Sequence, residues 1–258
     1  MVYLVLLRHG ESSFNKGSRF CGWIDAPLSE NGEKQAIETA NRIMEDPLTN
    51  HIPIHLLVTS RLKRAILTAN IILEQMDRIN MDVIKTWRLN ERHYGCLQGK
   101  IKKDVLNEYG KEKYMFYRRA YNGCPLPIDI NDEYNKDTLK IAKFDNELID
   151  YPELIPKCES LKMVIERLKP FWDMVIVNTL KKRENVLCVT HGSVVRALLT
   201  ILYELTDNQV ENLNIPNGMP ILIELDDKTL KPSSSTWTYL DPERAKIEAE
   251  KVKHDGIH

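Results

Sequence analysis

The sequence predicts an α/β fold: a mostly parallel central sheet flanked by helices on both faces, with an inserted lid region over the carboxyl ends of the strands. Three observations carry this expectation. Tyr3 to Leu7 is an unbroken apolar run that ends at Arg8-His9-Gly10, and Asn185 to Thr190 is a second that ends at His191-Gly192. Short apolar runs without alternation read as strands buried on both faces, as in parallel sheets, where ligands gather beyond the carboxyl ends. Between them, strand-like and helix-like stretches alternate with short connections, the pattern of right-handed crossovers.

Taken in order, the opening strand leads into a polar loop from Ser12 to Trp23. Gly10 at the strand end allows a tight turn or a close backbone approach. Ser29 is a good N-cap for a helix with Ala36, Ile37, Ala40, Ile43 and Met44 on its apolar face, and Pro47 stops it. His55 to Thr59 reads as a buried strand. Ser60 then opens a helix carrying Arg64, Ile66, Leu67, Ala69, Ile71 and Leu73, and Met81 to Lys85 forms a third short strand.

From Trp87 the pattern changes. Leu89 to Gly99 has no clear period and is rich in reactive side chains, Lys102 to Arg119 is charged and helical, and Pro125 to Pro156 is irregular. Long unpatterned stretches inside a compact domain are usually functional or mobile. Residues 93–158 are therefore expected to form a lid within one domain spanning 1–258. Helices over 160–179 and 193–205 flank the strand that ends at Thr190, and a last strand covers Ile221 to Leu225. The charged segment from Glu243 to Lys253 closes a tail, residues 233–258, that is expected to be mobile and solvated.

Composition narrows the function. With 36 Lys and Arg against 37 Asp and Glu, the chain lacks the basic excess of a general nucleic-acid or membrane-surface binder. An anion site must come from a local convergence of cations. Five cysteines with no Cys-x-x-Cys spacing point to a reduced, cytoplasmic protein without a zinc site or disulfide framework. The opening apolar run is far shorter than a signal h-region, and nothing approaches the roughly 20 apolar residues of a membrane span.

Two His-Gly pairs at strand ends, the first preceded by Arg8 and followed by Glu11, resemble the histidine phosphatase superfamily. Within it, the chain is similar to the 2,3-bisphosphoglycerate-dependent phosphoglycerate mutases. The matching stretches are Arg8 to Asn15, Gly22-Trp23, Thr59-Ser60 through Arg64-Ala65, Trp87 to Gly99, Tyr117-Arg118-Arg119 and His191-Gly192, with weaker similarity at 159–172 and 215–225. Nearly the whole chain is covered, in order.

The resemblance implies His9 as the nucleophile. A neutral imidazole attacks phosphorus and holds the phosphoryl group, splitting one hard transfer into two easier ones. Arg8, Arg64 and His191 are implied to cancel and stabilise charge on the transferring group, arginine through its bidentate fork. Glu91 is implied as general acid and base, with Glu11 a positioning carboxylate. Gly192 and Ser193 at a helix start would offer backbone N–H groups. A second cluster of Arg92, Tyr94, Lys102, Arg118 and Arg119 would grip the carboxylate and distal phosphate of a phosphoglycerate, with Asn15, Cys21 and Gly22 touching it from the other side.

By the same resemblance, the cofactor is 2,3-bisphosphoglycerate, acting as primer of His9, with no metal. The partner is a small phosphorylated carboxylic acid, and the assembly a homodimer; in the resembled family the C-terminal tail folds over the active site, which is the alternative to a solvated tail for residues 233–258. Three departures from the family stand out: Ser193 replaces Asn, Phe14 replaces Trp and Asn217 replaces Thr. Residues 128–157 follow the family poorly. Three rival functions are a bisphosphoglycerate synthase, favoured by Cys21 but not by Ser12 and Gly22; a phosphatase using the same histidine; and a non-catalytic binding protein.

Overall fold

The computed structural model describes residues 1–257. Its centre is a six-stranded sheet in the order β3-β2-β4-β1-β5-β6. The elements in chain order begin with β1 (Val2–Arg8), a single helical turn α1 (Ser13–Lys16), α2 (Glu30–Glu45), β2 (Ile54–Thr59), α3 (Lys63–Gln75) and β3 (Val83–Lys85). There follow α4 (Lys102–Arg119), α5 (Asn135–Ala142), α6 (Asn146–Asp150), α7 (Leu161–Phe171), α8 (Val177–Lys181) and β4 (Asn185–Thr190). The chain ends with α9 (Gly192–Tyr203), α10 (Asp207–Asn212), β5 (Ile221–Leu225), β6 (Thr238–Tyr239) and α11 (Pro242–His254).

β1 pairs in parallel with β4, which pairs in parallel with β2, while β5 runs antiparallel on the other side of β1. The expected mostly parallel sheet is therefore present, with an antiparallel edge of β5 and β6. The residues of β1 serve two cores because successive side chains point to opposite faces. Val2, Leu4 and Leu6 pack with α7 and α9 residues such as Leu168 and Leu198, whereas Val5 and Leu7 pack with Ala40 and Ile43 of α2 and Ile72 of α3. With helices on both faces, β1 has no need of alternating polarity. Truncating Leu4 or Leu187, both fully buried, is expected to cost about 2–5 kcal/mol.

Several boundaries differ from expectation for local reasons. The helix after β2 starts at Lys63, with Leu62 as its N-cap, so Arg64 sits in the first turn instead of one turn in. On α2 the buried face is Ala36, Ala40 and Ile43, while Ile37 and Met44 are more than a third exposed. The helix begun by the Ser160 cap is interrupted after Pro170 by a π-helical turn over Trp172–Ile176. Proline has no N–H for the regular ladder and clashes with the preceding turn. Residues 125–156 are not structureless: α5, α6 and a 3₁₀ turn at Pro152–Leu154 lie within them, each too short to show a period. β6 had no signal in sequence at all. Among the described residues no helix is long and apolar enough to cross a membrane.

Candidate active site

The carboxyl ends of β1, β4 and β2 lie side by side, and the chain is anchored there by hydrogen bonds that extend the ladder. His9 N–H donates to Thr190 O at 2.9 Å. Thr59 Oγ1 donates to Val189 O at 2.8 Å, and Thr190 Oγ1 to Leu89 O at 2.8 Å. Gly10 is a close-approach glycine: a Cβ there would lie 2.2 Å from Gly32 O at the start of α2. His9 is thus fixed from both sides of its backbone.

His9 and His191, buried at adjacent strand ends, have ring centroids 4.9 Å apart. His9 Nδ1–H donates to Gly10 O at 2.6 Å, which leaves the lone pair on Nε2, and Arg64 Nε donates to that nitrogen at 3.2 Å. Arg64 is itself locked, with its two terminal nitrogens on Ile24 O at 2.9 Å and Gly22 O at 2.8 Å. Burial, then the charges of Arg64 and Arg8, push the His9 pKa well below its usual value. The imidazole is therefore neutral at pH 7, the form able to attack.

His191 is held differently. Its Nε2 lies 2.7 Å from Ser60 Oγ, which also accepts from Leu62 N–H at 3.1 Å. His191 Nε2 is the acceptor within reach of the Ser60 hydroxyl proton, and with that bond made the ring proton rests on Nδ1. That atom is buried without a protein partner. Burial first, then Arg64 and His9, keep this ring neutral too. Arg8 donates through one terminal nitrogen to Ile215 O at 2.6 Å, while its buried Nε has no partner. A buried, unsatisfied donor costs free energy until something accepts from it. Two such donors beside the His9 imidazole are free to receive anionic oxygens.

Glu91 lines the same space. Its Oε1 accepts from Arg92 N–H at 2.7 Å and from Ser193 N–H, at the start of α9, at 3.3 Å. Its main-chain carbonyl accepts from Trp23 Nε1 at 2.7 Å and from Arg167 at 3.1 Å. Glu11 also faces the cavity, its carboxylate accepting from Ser29 Oγ at 2.7 Å.

A small chamber of about 60 Å³ at His9, Arg64, Cys21 and Gly22 adjoins a cavity of about 720 Å³, and Arg8, Asn15, Glu91, Tyr94 and Lys102 border both. Arg118, Arg119, Gly192 and Ser193 line the larger space only. Burial, then repulsion from Arg118 and Arg196, drive the Arg119 pKa well down. An anion there relieves that repulsion. Gly22 adopts a positive φ of 55°, and a Cβ on it would lie 2.2 Å from Gln98 Oε1. Cys21 sits in the small chamber, its buried thiol pushed up by loss of hydration. Asn15 closes a capping box with Ser12 on α1.

Two residues expected at the site, His191 and Arg92, line neither cavity. Arg92 is 1% exposed, and its guanidinium is spent on the carbonyls of Gly123 (3.0 Å), Tyr117 (2.8 Å) and Arg118 (2.9 Å). It fixes the turn after α4 and lies 4.5 Å over the Tyr94 ring. Burial raises the Tyr94 phenol, but Arg92 outweighs it and brings the pKa below the ordinary value.

Other residues at the site escaped the sequence reading. Arg167 of α7 donates to the carbonyls of Asn90 (2.7 Å) and Glu91 and pairs with buried Glu159 at 2.5 Å. Nothing in the α7 pattern marks it. The tail's own pattern predicted a solvated segment and the resemblance allowed one folded over the site; Asp255, just beyond α11, bonds to Lys102 and Ser18 and lies 3.9 Å from Arg118. Val252 O accepts from Arg118 at 2.8 Å and from Arg119 at 3.4 Å. Opposite charges overcome the cost of burial and hold the Asp255 carboxyl below its usual range.

Comparison with known proteins agrees with this geometry. The model of the histidine phosphatase superfamily (branch 1) matches residues 4–129 and 129–238. The chain is 42% identical to a 2,3-bisphosphoglycerate-dependent phosphoglycerate mutase of Bifidobacterium longum, covering 99% of both chains. It is 41% identical to phosphoglycerate mutase 1 of Saccharomyces cerevisiae, again over 99% of each. Among solved structures, a mycobacterial glucosyl-3-phosphoglycerate phosphatase shares the fold with a TM-score of 0.66 at 23% identity, covering 93% of this chain and 97% of the other. A phosphoglycerate mutase from Bacillus anthracis does so with a TM-score of 0.62 at 20% identity, over 100% and 97%. With a family model that matches residues 4–129 and 129–238 and full-length similarity to these mutases, the chain belongs to the histidine phosphatase superfamily, within the phosphoglycerate mutase family.

Proposed function

We propose that this chain is a phosphoglycerate mutase, interconverting 3-phosphoglycerate and 2-phosphoglycerate in glycolysis and gluconeogenesis through phospho-His9, primed by 2,3-bisphosphoglycerate. The observation that carries the reading is the neutral His9 imidazole with its Nε2 lone pair turned to Arg64, beside a cavity with a second cluster of cations. His9 Nε2 attacks phosphorus as Arg64 turns from the ring to a phosphoryl oxygen. Arg8 Nε and His191 Nδ1 supply the remaining donors. Glu91 gives a proton to the departing alkoxide and removes one from the hydroxyl that attacks next. Lys102, Arg118 and Arg119 hold the opposite end of the molecule, so the intermediate bisphosphoglycerate reorients in the cavity without leaving it.

The remaining expectations form part of the same reading. The chain works as one domain with residues 93–158 as lid, in the cytoplasm, as a homodimer. Two cation clusters favour transfer between ends of a bisphosphorylated molecule over hydrolysis, for which one suffices. The synthase reading is disfavoured at Gly22, where positive φ and the contact with Gln98 leave no room for a side chain.

The test is turnover of 3-phosphoglycerate with and without catalytic 2,3-bisphosphoglycerate, reading 2-phosphoglycerate and free phosphate together. Primer-dependent isomerisation with little phosphate is expected. Phosphate release without isomerisation would transfer the assignment to a phosphatase. Unchanged activity in His9→Ala would remove every covalent-histidine reading at once.

A further inference from the structure

Residues 125–157 leave and rejoin the body of the protein at a narrow neck. Ile128 N–H donates to Lys157 O at 2.9 Å, and Cys96 N–H to Leu126 O at 2.9 Å. At the two ends of this excursion stand Cys124 and Cys158. Their sulfurs are 3.2 Å apart, Cys124 Sγ donating to Cys158 Sγ, and both are partly exposed. Cys21 and Cys188, by contrast, are buried. No part of the phosphoryl-transfer chemistry uses the pair.

Each cysteine adjoins a residue that holds the Glu91 segment. Gly123 O, just before Cys124, accepts from Arg92. Glu159, just after Cys158, accepts from His93 N–H at 2.8 Å and pairs with Arg167, which in turn holds the carbonyls of Asn90 and Glu91. Forming a sulfur–sulfur bond of about 2.05 Å draws the two sulfurs more than 1 Å closer. That movement acts on both supports of Glu91.

We propose that Cys124 and Cys158 are a reversible disulfide site, closed by a hydroperoxide, that staples the neck of the insertion and lowers turnover by shifting the Glu91 segment. The Cys124 thiolate attacks one oxygen of hydrogen peroxide, the O–O bond breaks, and the departing hydroxide takes up the proton that Cys124 released, giving sulfenic acid and one water (an organic hydroperoxide releases its alcohol instead). Cys158 sulfur then attacks Cys124 sulfur. Hydroxide leaves and, with the Cys158 proton, becomes a second water, so two thiols are oxidised and the peroxide is reduced. Cys124 is the first to react because burial, the largest cause, pushes the Cys158 thiol up to about 12, and the thiolate is the nucleophile. In a reducing compartment such a bond is transient.

The experiment treats the full chain with a small excess of hydrogen peroxide, quenches with an alkylating agent and maps the peptides by mass. A Cys124–Cys158 crosslink is expected, with two of the five thiols lost and both recovered with dithiothreitol. Cys124→Ser is expected to keep all its remaining thiols. Crosslinking to Cys96, or sulfinic acid on Cys124 without a crosslink, would overturn the pairing. The turnover arm rests on the mutase reading, whereas the thiol arm does not, so the two can fail separately. Mutase activity is expected to fall at least threefold on oxidation and to return on reduction, with no such change in Cys124→Ser. A complete crosslink with unaltered turnover would overturn the link to Glu91.

Discussion

The ammonium of Lys102 is bonded to the carboxylate of Asp255, 153 residues later in the chain. In the same place Arg118 and Arg119 donate to Val252 O. A carboxylate from the protein's own tail thus occupies the cluster proposed to receive the carboxylate of phosphoglycerate, and substrate must displace it. Asp255→Ala is expected to lower KM for 3-phosphoglycerate roughly tenfold, the equivalent of about 1.4 kcal/mol from one charge-assisted contact. Steady-state kinetics on the two proteins decides this. An unchanged or higher KM would show that Asp255 does not compete with substrate.

Arg64 is closely held, since three of its nitrogens already have partners and one of those is His9 Nε2. Lysine keeps the charge but offers no planar fork. Arg64→Lys is expected to reduce kcat by about 10²–10³-fold, the usual loss for one preorganised donor to a developing anion. Circular dichroism on the same sample checks that folding survives. A loss under fivefold would place Arg64 outside the reacting centre.

The His-Gly pairs were legible because each sits where an unbroken apolar strand stops, and a sheet covered on both faces presents such ends to ligand. Arg64 was legible through its strand-helix context, although the helix begins three residues later than its Ser60 start suggested. Asp255 and Arg167 were not, and the reason is physical. Their partners lie far away in sequence, as with Asp255 and Lys102, and a local pattern carries no information about such a pair. The charges of α11 read as a solvated face, and most of them are one. Arg92 misled in the opposite direction: the family resemblance implied a ligand contact, but backbone carbonyls consume its donors.

Arg167 and Glu159 form an ion pair whose side chains are only 7% and 3% exposed. Removing one member of a buried pair leaves an uncompensated charge, costing about 3–5 kcal/mol. Arg167→Met should therefore destabilise the protein by that amount in urea unfolding. It also frees the carbonyls of Asn90 and Glu91, so kcat should fall with little change in KM. Because Arg167 positions Glu91 and does not touch substrate, the pH profile of kcat should shift as well. A stability loss with an unaltered profile would assign Arg167 a purely structural role.

Three buried histidines give the protein an acid sensitivity distinct from that of its carboxylates. His9 and His191 are held well below 6.5, and burial followed by Arg167 brings His93 to about 3. His93 accepts from Gly95 N–H through Nδ1 at 3.0 Å, and its Nε2 meets Thr138 Oγ1 of α5 at 3.1 Å. In the unfolded chain each ring takes up a proton as pH falls through about 6.5, whereas in the folded chain it stays neutral. Below that pH the unfolded state binds more protons, so stability falls as pH falls, by up to about 1.36 kcal/mol per pH unit for each histidine. Above pH 7 these groups contribute no slope. Urea unfolding from pH 7.5 down to pH 5.5 should show the decline beginning near 6.5, and His93→Gln should remove about one third of it. A decline that begins only near pH 4, or a slope unaffected by that substitution, would mean that the carboxylates and not the buried rings govern acid unfolding.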